Sequence, residues 1–162
     1  MFGVVVSVRL RIRSLVGRSP GSTVEVVAGV NSHYPALLGP DEPELLLPRE
    51  VAEQLGLYPP DPRWEAVERV SVGGPAYGWF VRRAVSACVV EGDREGPEIT
   101  AHVYIVPGFP KVLISDAAIK PLGIWMVDEA RGQGADKRRR DQAPGYMDGR
   151  RGQGALVLLR RT

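Results

Sequence analysis

Residues 36–57 constrain the possible folds of this chain more than any other stretch, because turn-forming residues recur there at short intervals. Two apolar triplets, at residues 36–38 and 45–47, flank a segment rich in acidic residues and proline. An apolar run of three residues suits a short buried strand and is too short for a helix. The pattern therefore predicts a strand, a sharp loop and a second strand.

A short helix is predicted directly after the second triplet. Pro48 suits the first position of a helix, where the backbone N–H has no partner within the helix. Val51, Ala52 and Leu55 follow at a spacing that places them on one face. Gly56 can adopt the left-handed conformation that ends a helix. We therefore expect a short helix with one buried face.

Most of the remaining chain up to residue 128 consists of short runs in which apolar and polar residues alternate. Alternation with a period of two is typical of half-buried strands. Strands are predicted over residues 4–13, 23–30, 64–72, 79–90, 98–106, 112–114 and 124–127. A glycine-rich turn at residues 73–78 is predicted to join two of them into a hairpin. About eight strands and two small helices indicate an all-β fold.

Size and charge divide the chain into three parts. Its 162 residues suit a single domain with a real core. Residues 129–162 hold nine Lys and Arg residues against four Asp and Glu residues, although the whole chain has a net charge of only +2. We predict a β domain at residues 1–128, a flexible basic tail rich in glycine at 129–154, and a possible short strand at 155–162.

Cysteine content and hydropathy bear on where the protein works. Cys88 is the single cysteine, so no internal disulfide can form, which fits a reducing, cytoplasmic location. Cys88 lies in an apolar run and is expected to be a buried small residue. No run of about 18 apolar residues is present, so no membrane association is expected.

Two segments together resemble a known family. Residues 36–57 resemble the active-site segment of the retropepsin-like aspartic proteases, in which an apolar strand ends in Asp-Thr/Ser-Gly-Ala before a short strand, a proline and a helix. Residues 112–128 are similar to the closing segment of that family, which is a strand, a short helix, Leu-Gly-Ile and a last strand. The resemblance implies an acid-protease β-barrel with one or two short helices, and it implies a homodimer.

The same resemblance implies a groove for an extended peptide or protein segment. The glycine-tipped hairpin would be the flap over this groove. The substrate-binding residues that follow from it are Gly39, Pro40, Gly73, Gly74 and Tyr77.

The catalytic motif of the family is altered in this chain. The alignment places Gly39 at the catalytic Asp position, Pro40 at the Thr/Ser position and Asp41 at the Gly position. Aspartic proteolysis needs two carboxylates that share a proton, and a single-domain member supplies one per chain across a two-fold axis. Our first hypothesis is therefore a catalytically inactive, homodimeric binding module. The alternative is an active aspartic endopeptidase that uses Asp41.

The sequence offers few residues for a metal, cofactor or further acid–base site. His33 and His102 have no Cys or acidic residue at ligand spacing, so no metal site is expected. No phosphate-binding loop or dinucleotide fingerprint occurs, so no cofactor is expected. Asp116 is expected to be an acid at a helix start, next to the capping residue Ser115. Glu42 and Glu44 are expected to form a solvated rim.

A third hypothesis is a nucleic-acid-associated protein. The basic run Lys137, Arg138, Arg139 and Arg140 could contact phosphates. No aromatic residues interleave with this run for base stacking, which favours a solvated tail as the competing interpretation.

Overall fold

The computed structural model describes residues 6–31, 33–71, 74–128 and 155–159. Within them the chain forms ten strands and two short helices. The strands are β1 (Val6–Ser14), β2 (Thr23–Val30), β3 (Glu44–Leu47), β4 (Glu65–Ser71), β5 (Gly74–Glu91), β6 (Arg94–Glu95), β7 (Ile99–Ile105), β8 (Val112–Ile114), β9 (Ile124–Asp128) and β10 (Ala155–Leu159). The helices are α1 (Arg49–Gln54) and α2 (Asp116–Ile119).

Six of these strands close into a barrel. Their order is β1, β2, β8, β3, β7 and β5, and β5 pairs back with β1 to complete the ring. Strand β4 extends outward from β5, with which it forms the predicted hairpin. The all-β fold with two short helices, predicted from the alternation of the strands, is confirmed, and so is the barrel that the resemblance implied.

Strand β3 lies in the middle of the barrel wall. It runs parallel to β7 on one side and antiparallel to β8 on the other. Leu45 pairs with Ile114, and the Ser115 N–H donates to the Glu44 carbonyl oxygen at 3.1 Å. The two segments compared above, residues 36–57 and 112–128, are therefore direct neighbours.

Helix α1 packs on the barrel core with the face that the sequence predicted. Val51, Ala52 and Leu55 are all buried and belong to the same apolar cluster as the inward side chains of β1, β3, β5 and β7. Burial of one such leucine side chain stabilises the fold by roughly 1.5–3 kcal/mol. Gly56 follows with φ +73°, the left-handed conformation expected of it.

One glycine of the predicted turn, Gly78, has a different role from the one predicted. Strand β5 already begins at Gly74, which pairs with Ser71, so most of the predicted turn is strand and its tip lies outside the described residues. Gly78 is in the interior of β5, where a Cβ atom would lie 2.1 Å from the Ile105 carbonyl oxygen. This glycine permits a close approach to β7 and forms no turn.

The strand predicted at residues 36–38 is absent, and this prediction was wrong. The segment is a turn in which the side chains of Leu37 and Leu38 are exposed. The Leu37 N–H donates to the Glu44 side chain at 2.7 Å, so it is not available to a neighbouring strand. Prolines on both sides, Pro35 and Pro40, remove further donors.

The C-terminal end supplies one more strand pair. β10 pairs antiparallel with β9, with Ala155 opposite Asp128 and Leu159 opposite Ile124. The predicted tail at residues 129–154 lies outside the described residues. In the described part of the chain, neither helix is long and apolar enough to span a bilayer.

Replacement of Gly78 by alanine is expected to destabilise the protein. The new Cβ would collide with the backbone of β7, and overpacking of this kind costs about 1–3 kcal/mol. Gly108→Ala is the matched control, because a Cβ at that position meets nothing within 4 Å. Urea unfolding measures both free energies. Equal values for the two variants would contradict the close approach between β5 and β7.

Candidate functional site

Asp41 stands at the tip of a surface turn. Its side chain is exposed and, among the described residues, makes no hydrogen bond or ion pair. The turn is closed by the Glu42 N–H, which donates to the Gly39 carbonyl oxygen at 3.2 Å, and Gly39 has φ +122°. Pro40 is exposed beside it. From the residues that the structure describes, Asp41 therefore receives none of the hydrogen bonds that orient a catalytic carboxylate.

The strand that leads into this loop is β2. It ends at Val30, which pairs with Ile114 of β8. Asn31 follows, and its side-chain oxygen accepts the His33 N–H at 2.8 Å, which is an Asx-type turn. The residue that follows β2, beside the segment at 112–128, is therefore Asn31 and not Gly39.

A fully buried carboxylate, that of Glu44, organises the loop at residues 31–43. One of its oxygens accepts hydrogen bonds from the Tyr34 hydroxyl and from the Arg69 guanidinium. The other oxygen accepts the Leu37 N–H at 2.7 Å. The sequence placed Glu44 in a solvated rim, and that prediction was wrong. A buried carboxylate is tolerated here because a cation and two further donors surround it.

Arg69 connects the hairpin to the loop. It leaves β4, reaches Glu44 with one nitrogen and donates to the Pro35 carbonyl oxygen with another. Its guanidinium lies 5.4 Å from the ring centre of Tyr34 and 4.9 Å from that of Tyr104. The space between hairpin and loop is thus occupied by Arg69 and the rings around it.

Tyr34 remains protonated in this cluster. Burial raises the pKa of its phenol well above the usual value, and the neighbouring Glu44 carboxylate raises it further. The hydroxyl consequently serves as a stable donor to Glu44 across the physiological pH range.

The start of helix α2 holds the other side of the loop. Asp116 accepts the Ala36 N–H at 3.1 Å and the Ala117 N–H at 2.6 Å, so it is the acid at a helix start that the sequence predicted. Ser115 stands at the cap position as expected, but its hydroxyl accepts the Glu44 N–H at 3.0 Å and makes no capping bond to the helix.

His102 and Glu42 form a second polar pair. The Nε2 of His102 lies 2.7 Å from a Glu42 oxygen, and Nδ1 accepts the Arg83 N–H at 2.9 Å. Nδ1 is therefore unprotonated and Nε2 carries the proton. Arg83 adopts φ +47° at an irregularity of β5 opposite β7. With both ring nitrogens engaged, His102 has no free lone pair for base catalysis or metal binding.

The outer face of the hairpin is apolar and exposed. The side chain of Val70 is 85% exposed and that of Tyr77 is 63% exposed. Residues paired across antiparallel strands share a face, so Val70 lies with Pro75, and Tyr77 lies with Glu68. Arg69 projects from the opposite face. Tyr77 therefore points away from the space between hairpin and loop.

The predicted site residues consequently fall into two groups. Gly39, Pro40 and Asp41 lie on the loop, whereas Gly74 and Tyr77 lie on the hairpin. Gly73 and the basic run at residues 137–140 lie outside the described residues.

Comparisons with known proteins add no assignment. A scan against protein-family models finds no match, and a search of curated proteins finds no relative of significant similarity. In the ranges that the structure describes, no group of three or more His, Cys, Asp or Glu residues could hold a metal ion. The functional inference therefore depends on the geometry of the loop and the hairpin.

Removal of the Glu44 charge is expected to destabilise the fold strongly. Glu44→Gln keeps the shape of the side chain but leaves the mostly buried Arg69 without its counter-ion, which costs about 3–5 kcal/mol. Glu65→Gln, at an exposed position of β4, is the control and should change stability by less than about 0.5 kcal/mol.

Chemical denaturation of both variants measures this difference. The double variant Glu44→Gln/Arg69→Met should regain part of the loss, because neither buried charge remains. A Glu44→Gln protein as stable as the control would show that the ion pair does not hold the loop.

Glu42 should titrate below the usual range for glutamate, since the hydrogen bond from His102 lowers its pKa. His102→Asn shortens the side chain and removes that bond, so the pKa of Glu42 is expected to rise. NMR of the side-chain carboxyl carbons measures the change, with exposed Glu68 as the internal reference. An unchanged Glu42 titration in the variant would contradict the pairing.

Proposed function

We propose that this chain is a non-catalytic, retropepsin-like β domain that binds an extended peptide or protein segment. The observation that carries the proposal is the position of β4. Among the described strands it pairs with β5 alone, so its other side presents unpaired backbone donors and acceptors beside an exposed apolar face. Such an edge can take up a peptide as an additional strand.

Two features support the family assignment within this proposal. The segments that carry the resemblance are adjacent through β3 and β8, as one groove-forming unit requires. The apolar strand that enters the loop is β2 and not residues 36–38, so an alignment on this strand puts Asn31, rather than Gly39, at the position that is Asp in the family. An amide cannot share a proton as a carboxylate pair does, which favours a binding protein over a peptidase.

The residues along β4 indicate the chemistry of the bound segment. Glu65 and Glu68 are exposed on this strand, whereas Arg69 is engaged with Glu44. The available charge along the edge is therefore negative. Val70 and Tyr77 add apolar contacts on the outer face. We infer a ligand that combines basic residues with alternating apolar ones.

Arg69 anchors the hairpin to the loop, and this anchoring lowers the entropic cost of binding a peptide. The hairpin is held to the loop by hydrogen bonds and by the stacking of Arg69 on Tyr34 and Tyr104. A strand edge that is already ordered loses little conformational freedom when a peptide pairs with it.

The proposal includes the homodimer that the resemblance implies. Leu37 and Leu38 are exposed at the loop that meets its copy in that family, and they offer an apolar contact surface to a second chain. Analytical ultracentrifugation of the full chain tests this part, and Leu38→Glu should shift a dimer toward the monomer. A wild-type protein that is monomeric at high concentration would remove the dimer from the proposal.

Panning of the full chain against a random-peptide phage library tests the binding function. Enriched peptides should carry basic and apolar residues, and Val70→Lys should weaken their binding by about tenfold or more, because it places a positive charge beside the strand edge that repels the basic residues of the ligand. Val27→Lys, at an exposed apolar position of β2, is the matched control. No enrichment, or equal binding to both variants, would contradict peptide binding at β4.

Peptidase assays at acid pH test the catalytic alternative. We expect no cleavage of a denatured protein substrate by the wild type or by Asp41→Asn, because Asp41 is an isolated surface carboxylate in the chain. Cleavage that is abolished by both Asp41→Asn and a statine-type inhibitor would establish an active endopeptidase instead.

A further inference from the structure

A small cavity lies on the outer side of β1 and β5, away from the loop and from β4. Its volume is about 160 Å³. Arg11 pairs with Cys88 and Arg13 with Ser86 across the two strands, so these four side chains share one face. Glu95 and Glu98 complete the wall beside them.

The Ser86 hydroxyl at this cavity needs a hydrogen-bond partner. The residue is only 6% exposed, and its oxygen is fully buried with no partner among the described residues. Buried side-chain oxygens nearly always have a partner, because an unpaired one carries the full cost of its lost hydration. Ser86 lines the cavity, so a ligand group that displaces the side chains covering its oxygen would meet this requirement.

The charges around the cavity are only partly matched within the protein. Arg11 bonds Glu95 at 2.9 Å and Glu25 at 3.4 Å, so its charge is already engaged by two carboxylates. Arg13 and Glu98 are exposed and form no ion pair within the described part of the chain. One positive and one negative side chain are therefore available to a ligand.

We propose that this cavity binds a small α-amino acid. The ligand carboxylate would meet the Arg13 guanidinium and the Ser86 hydroxyl, and its ammonium group would meet the Glu98 carboxylate. A simple anion would be opposed by Glu98 and a simple cation by Arg13, whereas a zwitterion matches both. This inference does not depend on the proposed peptide-binding function, which involves β4 and the other end of β5.

The small volume of the cavity and the neutral thiol of Cys88 restrict the ligand further. The cavity is smaller than the roughly 300–1,000 Å³ of pockets for drug-sized molecules, so glycine, alanine and serine are the fitting class. Burial raises the pKa of the Cys88 thiol, so the thiol stays neutral and adds no third charge.

NMR titration of the full chain with glycine and alanine tests the site. Acetate and methylammonium are the comparison compounds, since each carries one of the two charges alone. The amides of Ser86 and Gly96 should shift saturably with the amino acids, with at least about tenfold tighter binding than to either comparison compound. Equal affinity for acetate would overturn the zwitterion assignment, and no saturable shift with any compound would overturn the site.

Variants locate the binding at this cavity. Arg13→Gln and Glu98→Gln, both at exposed positions, should each weaken glycine binding by about tenfold or more, and Ser86→Ala should weaken it as well. Arg9→Gln is the matched control, because Arg9 is exposed on the same face of β1 and lies outside the cavity. Equal losses in Arg13→Gln and Arg9→Gln would overturn the proposal, since the effect would then be one of overall charge.

Discussion

The burial of a single carboxylate, that of Glu44, determines how the loop and the hairpin sit against the barrel. Three donors from different parts of the chain converge on it, namely the Tyr34 hydroxyl, the Leu37 N–H and the Arg69 guanidinium. An uncompensated buried charge is costly, so the loss of any one of these three hydrogen bonds is unfavourable. The loop conformation and the attachment of the hairpin are therefore linked, although they are formed by separate segments.

The contact between Arg69 and Glu44 makes the two faces of the hairpin different. Arg69 and Ala76 face the loop, and the contacts of Arg69 occupy the inner side. The edge of β4 that has no strand partner among the described residues lies on the solvent side, and so do the exposed side chains of Val70 and Tyr77. A binding surface on this hairpin consequently differs in position from a groove beneath it, which is where the resemblance alone would place the ligand.

The all-β fold was predictable from the sequence because its strands alternate with a period of two, and α1 was predictable from the spacing of Val51, Ala52 and Leu55. The local signal was ambiguous at two places. Leucines at 37 and 38 suggested a strand although they lie in a turn, and Gly78 suggested a turn although it permits a close contact. The partnership of Glu44 with Arg69 could not be read from spacing, because the two residues meet only when the hairpin folds back over the loop.

The placement of β3 has a consequence for the order in which the protein folds during translation. This strand emerges from the ribosome early, but its neighbours on both sides, β7 and β8, are synthesised much later. The three adjacent leucines of β3 therefore have no strand partners until nearly the whole domain has been synthesised. Strand pairs between segments so far apart in sequence form slowly. Nascent chains that stall before residue 112 would expose this segment to chaperones and to aggregation.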